Sequence, residues 1–182
     1  MKKFLIYSLC SIALSACHTK NTQPKVDSAA VYKVPDEEAI KKAVDNAYHS
    51  ICFNTGETPR YAEIKEAFIP QAQLINFRTA DSAQVTNINQ FIYLYRTFIE
   101  TGHIHYFYEK ELYGKTEQFG NVASRTSTYA TYLNHPDSLA ERGVNSFQLI
   151  KTKAGWKVSS IIWDVEKPGL KIPGYYLGKY FN

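Results

Sequence analysis

Between residues 35 and 101 the apolar positions recur every three or four residues, and from residue 103 onward they alternate. The first part therefore predicts helices. Asp36 is placed to cap one, with Glu37 and Glu38 favourable in its first turn. Ile40, Ala43, Val44, Ala47, Tyr48 and Ile51 then form a single apolar stripe. Residues 54–57 break the pattern, and Thr58-Pro59 opens a second helix with Pro at its tolerated first position. Tyr61, Ile64, Ala67 and Phe68 are its buried face; Pro70 stops it, and residues 74–77 predict a short strand. After a loop at 81–85, a third helix begins near Thr86 with Ile88, Phe91, Ile92, Tyr95, Phe98 and Ile99 on one side, and Gly102 as its C-cap.

The alternating part predicts four long strands. Residues 103–117 and 121–133 are joined by a turn at Phe119-Gly120, and 134–142, with Pro136 and Asp137, reads as a loop. Residues 143–153 and 156–165 flank Ala154-Gly155, rich in Val, Ile, Phe and Trp, which is a β-hairpin pattern. The tail holds two Pro and three Gly and should wrap the surface through Tyr175, Tyr176 and Leu177. The order implies an α+β fold: three helices packed on one face of a curved antiparallel sheet. The last strand carries large apolar residues on both parities, Trp156, Val158 and Ile162 on one and Ile161 and Trp163 on the other. Only one set can face the helices. The other needs cover, from the tail or from a homodimer formed through the outer sheet face.

The N-terminus changes the picture of location. Lys2 and Lys3 precede an apolar run of about ten residues, the length of a signal-peptide core and too short to span a bilayer. Leu14-Ser15-Ala16-Cys17 follows and resembles the bacterial lipobox, which makes Cys17 the lipidated first residue of the mature protein. The alternative is an ordinary signal peptide that contains a Cys. The expected organisation is a signal peptide at 1–16, a tether at 17–34 and one domain at 35–182. The expected location is the cell envelope, membrane-bound through the lipid, on the periplasmic side of the outer membrane. With Cys10 in the leader and Cys17 lipidated, Cys52 has no disulfide partner; its helical, apolar surroundings make it a buried small hydrophobe rather than a nucleophile. Lys2 and Lys3 account for two of the four net positive charges, and no basic run appears elsewhere, so nucleic acid is not an expected partner.

Several phrases resemble the nuclear-transport-factor-2-like, or SnoaL-like, superfamily. They are Ile64-Lys65-Glu66-Ala67-Phe68-Ile69-Pro70 before the short strand, Phe119-Gly120-Asn121-Val122-Ala123, Ser127-Thr128-Tyr129, Arg142-Gly143-Val144-Asn145-Ser146-Phe147-Gln148-Leu149, and Gly155-Trp156-Lys157-Val158 with Ile162-Trp163-Asp164. The resemblance spans roughly residues 35–176 and implies a cone-shaped, cystatin-like roll with a pocket between helices and sheet. It does not imply one function, because the fold hosts isomerases, dehydratases, hydrolases, cyclases, binders and adaptors. Enzymes of the group place an Asp, Glu or His base in that pocket, often beside a Tyr. No isolated acid on an apolar strand face stands out in this sequence.

The candidate chemistry is read beside that resemblance. His103 and His105 share a strand parity that Glu109 and Glu111 extend, an acid–base row or an exposed polar edge. No third metal ligand is evident, and neither metal nor cofactor is expected. Arg125, Ser127 and Tyr129 share a face of their strand. With 14 Tyr against 10 Phe and 2 Trp, the chain suits a half-wet cavity or an interface. The expected lining is Tyr48, Tyr61, Tyr95, Arg125, Tyr129, Asn145 and Trp163, with Arg125 either meeting an anionic ligand group or pairing with Glu111 or Glu117. Three functions follow: a lipid-anchored domain binding a small molecule or partner protein, a SnoaL-like enzyme abstracting a proton with a His or Glu base, or a protein-interaction subunit that uses the outer sheet face.

Overall fold

The computed structural model describes residues 33–78 and 82–179. The expected signal peptide, the lipidation residue Cys17 and nearly all of the tether lie outside the described residues. The domain runs from Val34 and contains α1 (Glu37–Ile51), α2 (Tyr61–Ala67), β1 (Phe68–Asn76), β2 (Gln84–Asn87), α3 (Ile88–Thr101), β3 (Phe107–Phe119), β4 (Val122–Leu133), β5 (Leu139–Thr152), β6 (Gly155–Val165) and a short 3-10 turn at Gly174–Leu177.

The strands form one sheet in the order β2-β1-β6-β5-β4-β3. The four long strands are antiparallel neighbours, as expected, while β1 runs parallel to β6. The sheet is therefore mixed. The helices share one face. Ile40, Val44, Ile64, Leu74, Phe147, Leu149 and Val158 meet there, each nearly or fully excluded from water.

Local chemistry explains the boundaries. Asp36 stands at the α1 N-cap but does not cap it; its carboxylate accepts from Lys151 Nζ at 2.9 Å and Gln118 Nε2 at 2.8 Å instead. α3 is capped by Asn87, whose side chain accepts from Gln90 N at 2.9 Å while Gln90 accepts from Asn87 N at 3.0 Å, a capping box. Gly102 ends α3, as expected: a Cβ there would lie 2.7 Å from the Phe98 carbonyl oxygen. Pro70 ends no helix, since α2 has already stopped at Ala67. It lies within β1 where the pairing with β6 is interrupted, a place where a strand tolerates the missing N–H.

The two apolar parities of β6 are reconciled by a bulge. The register with β5 slips between Gln148 and Leu149, and this bulge at Ser159 resets the alternation. Trp156, Val158, Ile161 and Trp163 all turn toward the helices, and Ile162 alone is left outside, 43% exposed. The tail is tied to β4, with Thr128 Oγ1 donating to the Tyr176 carbonyl.

Candidate functional site

A cavity of about 230 Å³ lies between the concave sheet and α3. One wall is helical. Phe91, Leu94, Tyr95 and Phe98 recur at helical spacing on α3 and line it together, and Ala47, Tyr48 and Ile51 of α1 add a second edge. The floor is the sheet: Leu74, Phe107, Tyr129, Leu133, Phe147, Ile161 and Trp163. Its charged groups are Arg78, Glu109 and Glu141.

Of the seven predicted site residues, Tyr48, Tyr95, Tyr129, Asn145 and Trp163 line the cavity. Tyr61 and Arg125 do not. Tyr61 packs behind Tyr95, ring centroids 6.1 Å apart, with the Arg96 guanidinium 4.5 Å over its ring. Arg125 is 3% exposed and lies beneath the start of α1. It donates to both oxygens of Glu111, Nε to Oε2 at 2.9 Å and Nη2 to Oε1 at 2.6 Å, and Nη1 donates to Glu37 Oε1 at 3.0 Å. The second of the two alternatives for Arg125 is the one found, so the guanidinium has no free face for an anionic ligand. Gly114 makes this possible: a Cβ there would sit 2.5 Å from Arg125 Nη2 and 2.6 Å from Glu111 Oε2.

From this pair a chain of hydrogen bonds runs to the cavity. Ser127 Oγ donates to Glu111 Oε2 at 2.7 Å, so the Tyr48 hydroxyl, 2.7 Å from Ser127, donates to it and accepts from Asn145 Nδ2 at 2.9 Å. Burial alone would raise the Glu111 carboxyl, but Arg125 and Ser127 outweigh it and hold it below the ordinary range. Burial pushes the Tyr48, Tyr95 and Tyr129 phenols well up, so all three stay neutral. Tyr95 donates to the Ile51 carbonyl, and Tyr129 donates to Glu141 Oε1 at 3.1 Å. Arg78 Nη2 donates to Glu141 Oε2 at 2.7 Å.

Glu109 differs from all of these. Thr131 Oγ1 donates to its Oε2 at 2.7 Å, and no basic side chain among the described residues pairs with it. Burial, with the charge of Glu141 adding to it, pushes the Glu109 carboxyl up to about 7. This is the acid that sequence reasoning did not isolate. Glu109 and Glu111 have the same parity, and nothing in the local sequence says that Arg125 neutralises one and leaves the other. Glu141 and Ala140 were hidden for another reason. They belong to β5, which starts at Leu139 within the predicted loop, and Gln84 and Thr86 belong to β2, within the loop predicted at 81–85 and the helix start beside it.

The two histidines take no part. His103 has φ of 49° in the turn after α3, His105 precedes β3, and both are exposed. The row predicted for them begins only at Phe107. Cys52 is buried as expected; its thiol donates to the Tyr48 carbonyl at 3.2 Å, and burial pushes it up to about 11.

A sheet rolled over three helices with a cavity at its concave side is one architectural class, and solved structures identify it. No protein-family profile and no curated protein sequence matches the chain. Among solved structures, an ntf2-like protein of unknown function from Shewanella baltica is similar, with 16% identity over 75% of this chain and 99% of that chain and a TM-score of 0.51. A candidate aromatic ring hydroxylase from Novosphingobium aromaticivorans shares 16% identity over 75% and 93%, with a TM-score of 0.58. A candidate dehydratase of the ntf2-like family from Streptomyces avermitilis shares 14% over 72% and 96%, with a TM-score of 0.54. The chain has the nuclear-transport-factor-2-like fold.

Proposed function

We propose that this is a lipid-anchored envelope domain that binds a small, mostly apolar molecule in the cavity between α3 and the sheet. The observation that carries the binding reading is the cavity's composition. Aromatic and aliphatic walls surround it, and a few fixed polar groups gather around Glu109, Glu141 and Asn145, which is the make-up of small-ligand sites. The names of two structural relatives, an aromatic ring hydroxylase and a dehydratase, fit a small-molecule site. The anchor rests on Lys2-Lys3, the short apolar run and Leu14-Ser15-Ala16-Cys17.

The test of binding is titration with naphthalene, read by the aromatic NMR signals of Tyr129 and Trp163. Saturable shifts are expected, and they should vanish in Ala140→Trp, which fills the cavity from the exposed bulge of β5. Unchanged shifts in that variant would place the ligand elsewhere. For the anchor, Cys17→Ala should leave the protein unprocessed or soluble; a processed, membrane-bound variant would contradict it.

A second reading is favoured by Glu109 itself. A carboxyl raised to about 7 in an apolar cavity suits a general base working near neutrality. In heavy water, a small aryl ketone should then take up deuterium beside its carbonyl with the wild-type protein and not with Glu109→Gln. Equal uptake in both would remove this reading.

A further inference from the structure

We propose that the ligand of this cavity is an organic cation, a small arylalkyl amine being the simplest member, with its ammonium against Glu109 and its apolar body among the aromatic walls. The inference rests on the reading of the cavity as a binding site and goes further by fixing the charge of the ligand.

The charges around the cavity are the first ground. Among the described residues its lining holds two carboxyl groups and one guanidinium, and no lysine or histidine. Arg78 is engaged by Glu141, which also accepts from Tyr129. Glu109 is left with one hydroxyl donor, Thr131, on one of its two oxygens. The basic residue nearest in pattern, Arg125, is held by Glu111 and Glu37 and lies outside the lining. A carboxylate ligand would therefore enter beside an acid, and the one guanidinium among the described lining residues already meets Glu141. An ammonium would supply the partner that Glu109 lacks, and charge-assisted hydrogen bonds of that kind are short and strong.

The walls are the second ground. Phe91, Tyr95, Phe98, Phe107 and Trp163 line the same space. Ring faces attract cations, most strongly where water is excluded, and Trp most of all. Aromatic walls beside an acid that no basic side chain among the described residues pairs with fit an amine better than a neutral molecule, which could use the rings but not the charge.

The groups around Glu109 set the pH response. From α1 and the residue after it come Tyr48 and Cys52, from α3 Tyr95, from β4 Tyr129, from β5 Glu141, from the segment after β1 Arg78, and from β3 itself Glu111. Burial keeps the phenols and the thiol neutral, and Arg125 keeps Glu111 charged. Glu109 is the group that titrates near neutrality, so amine binding should strengthen as pH rises through about 7 and release a proton below it.

The experiment compares phenethylamine, phenethyl alcohol and phenylacetate, three ligands of one skeleton, by calorimetric titration of the purified protein. The amine should bind at least about tenfold tighter than the alcohol, with phenylacetate weakest. In Glu109→Gln the amine should fall to the level of the alcohol, while the alcohol changes less than about twofold. The ligand series on the unmodified protein decides the matter even if the variant misfolds. Alcohol or phenylacetate binding as tightly as the amine overturns the cation. If none of the three binds while naphthalene does, the cation falls and the cavity reading stands; if naphthalene also fails, both fall.

Discussion

Glu109 and Glu111 stand two residues apart on the same face of β3, and their surroundings are opposite. Under α1, Glu111 meets the Arg125 fork, a serine hydroxyl and, through Arg125, Glu37. Under α3, Glu109 meets one threonine and an open cavity. The first region is closed and charge-balanced, and its carboxyl is held low; the second is open and unbalanced, and its carboxyl is pushed up to about 7. The cause lies on the neighbouring strands. Gly114 clears the path by which Arg125, opposite Thr116, reaches Glu111, whereas Glu109 lies opposite Thr131. Glu111 is thus tied into the scaffold, whereas Glu109 faces the cavity.

The largest effect should come from breaking the closed region. Arg125→Met leaves Glu111 and its serine buried without their cation, and should cost about 3–5 kcal/mol in chemical denaturation. Loss of ligand binding at full stability would instead place Arg125 in the site. Next comes Glu109. Its folded carboxyl is raised above the unfolded one, so the native state holds the extra proton and the contribution of Glu109 to stability is greatest at low pH. That contribution fades as pH rises from about 4.5 through about 7. Relative to Glu109→Gln, the wild-type protein should lose on the order of 3 kcal/mol across this window. A flat difference would make Glu109 an ordinary carboxylate.

Gly114→Ala sharpens the contrast at lower cost. The added methyl meets Arg125 and Glu111 at under 3 Å, and should destabilise by about 1–3 kcal/mol while leaving Glu109 and the cavity unaltered. The smallest effect should be that of Thr131→Val, about 1 kcal/mol of stability, with the Glu109 carboxyl moving further up because the hydrogen bond that lowers it is gone. A downward movement would mean that another group holds the charge.

Periodicity made the three helices and four long strands legible in the sequence, because each buries one face and the apolar spacing records it. Tyr48, Tyr95 and Tyr129 could be placed in the cavity on the same ground. What stayed hidden depended on register. The bulge at Ser159 reconciles the two parities of β6, and it arises from pairing with β5, which no local spacing reports. Arg125 and Glu111 are 14 residues apart and meet only because β3 and β4 align with Gly114 between them. Once that pair is known, Glu109 becomes the isolated acid that the bare sequence conceals. Glu141 escaped because Leu139-Ala140-Glu141-Arg142, next to Pro136 and Asp137, looks like loop and yet extends β5.

The raised carboxyl of Glu109 can be read at the residue itself. NMR titration of isotope-labelled glutamate carboxyls, with the Glu109 signal assigned by its loss in Glu109→Gln, should give a midpoint near 7 that falls when phenethylamine is added. A midpoint at about 4, unmoved by the amine, would contradict it.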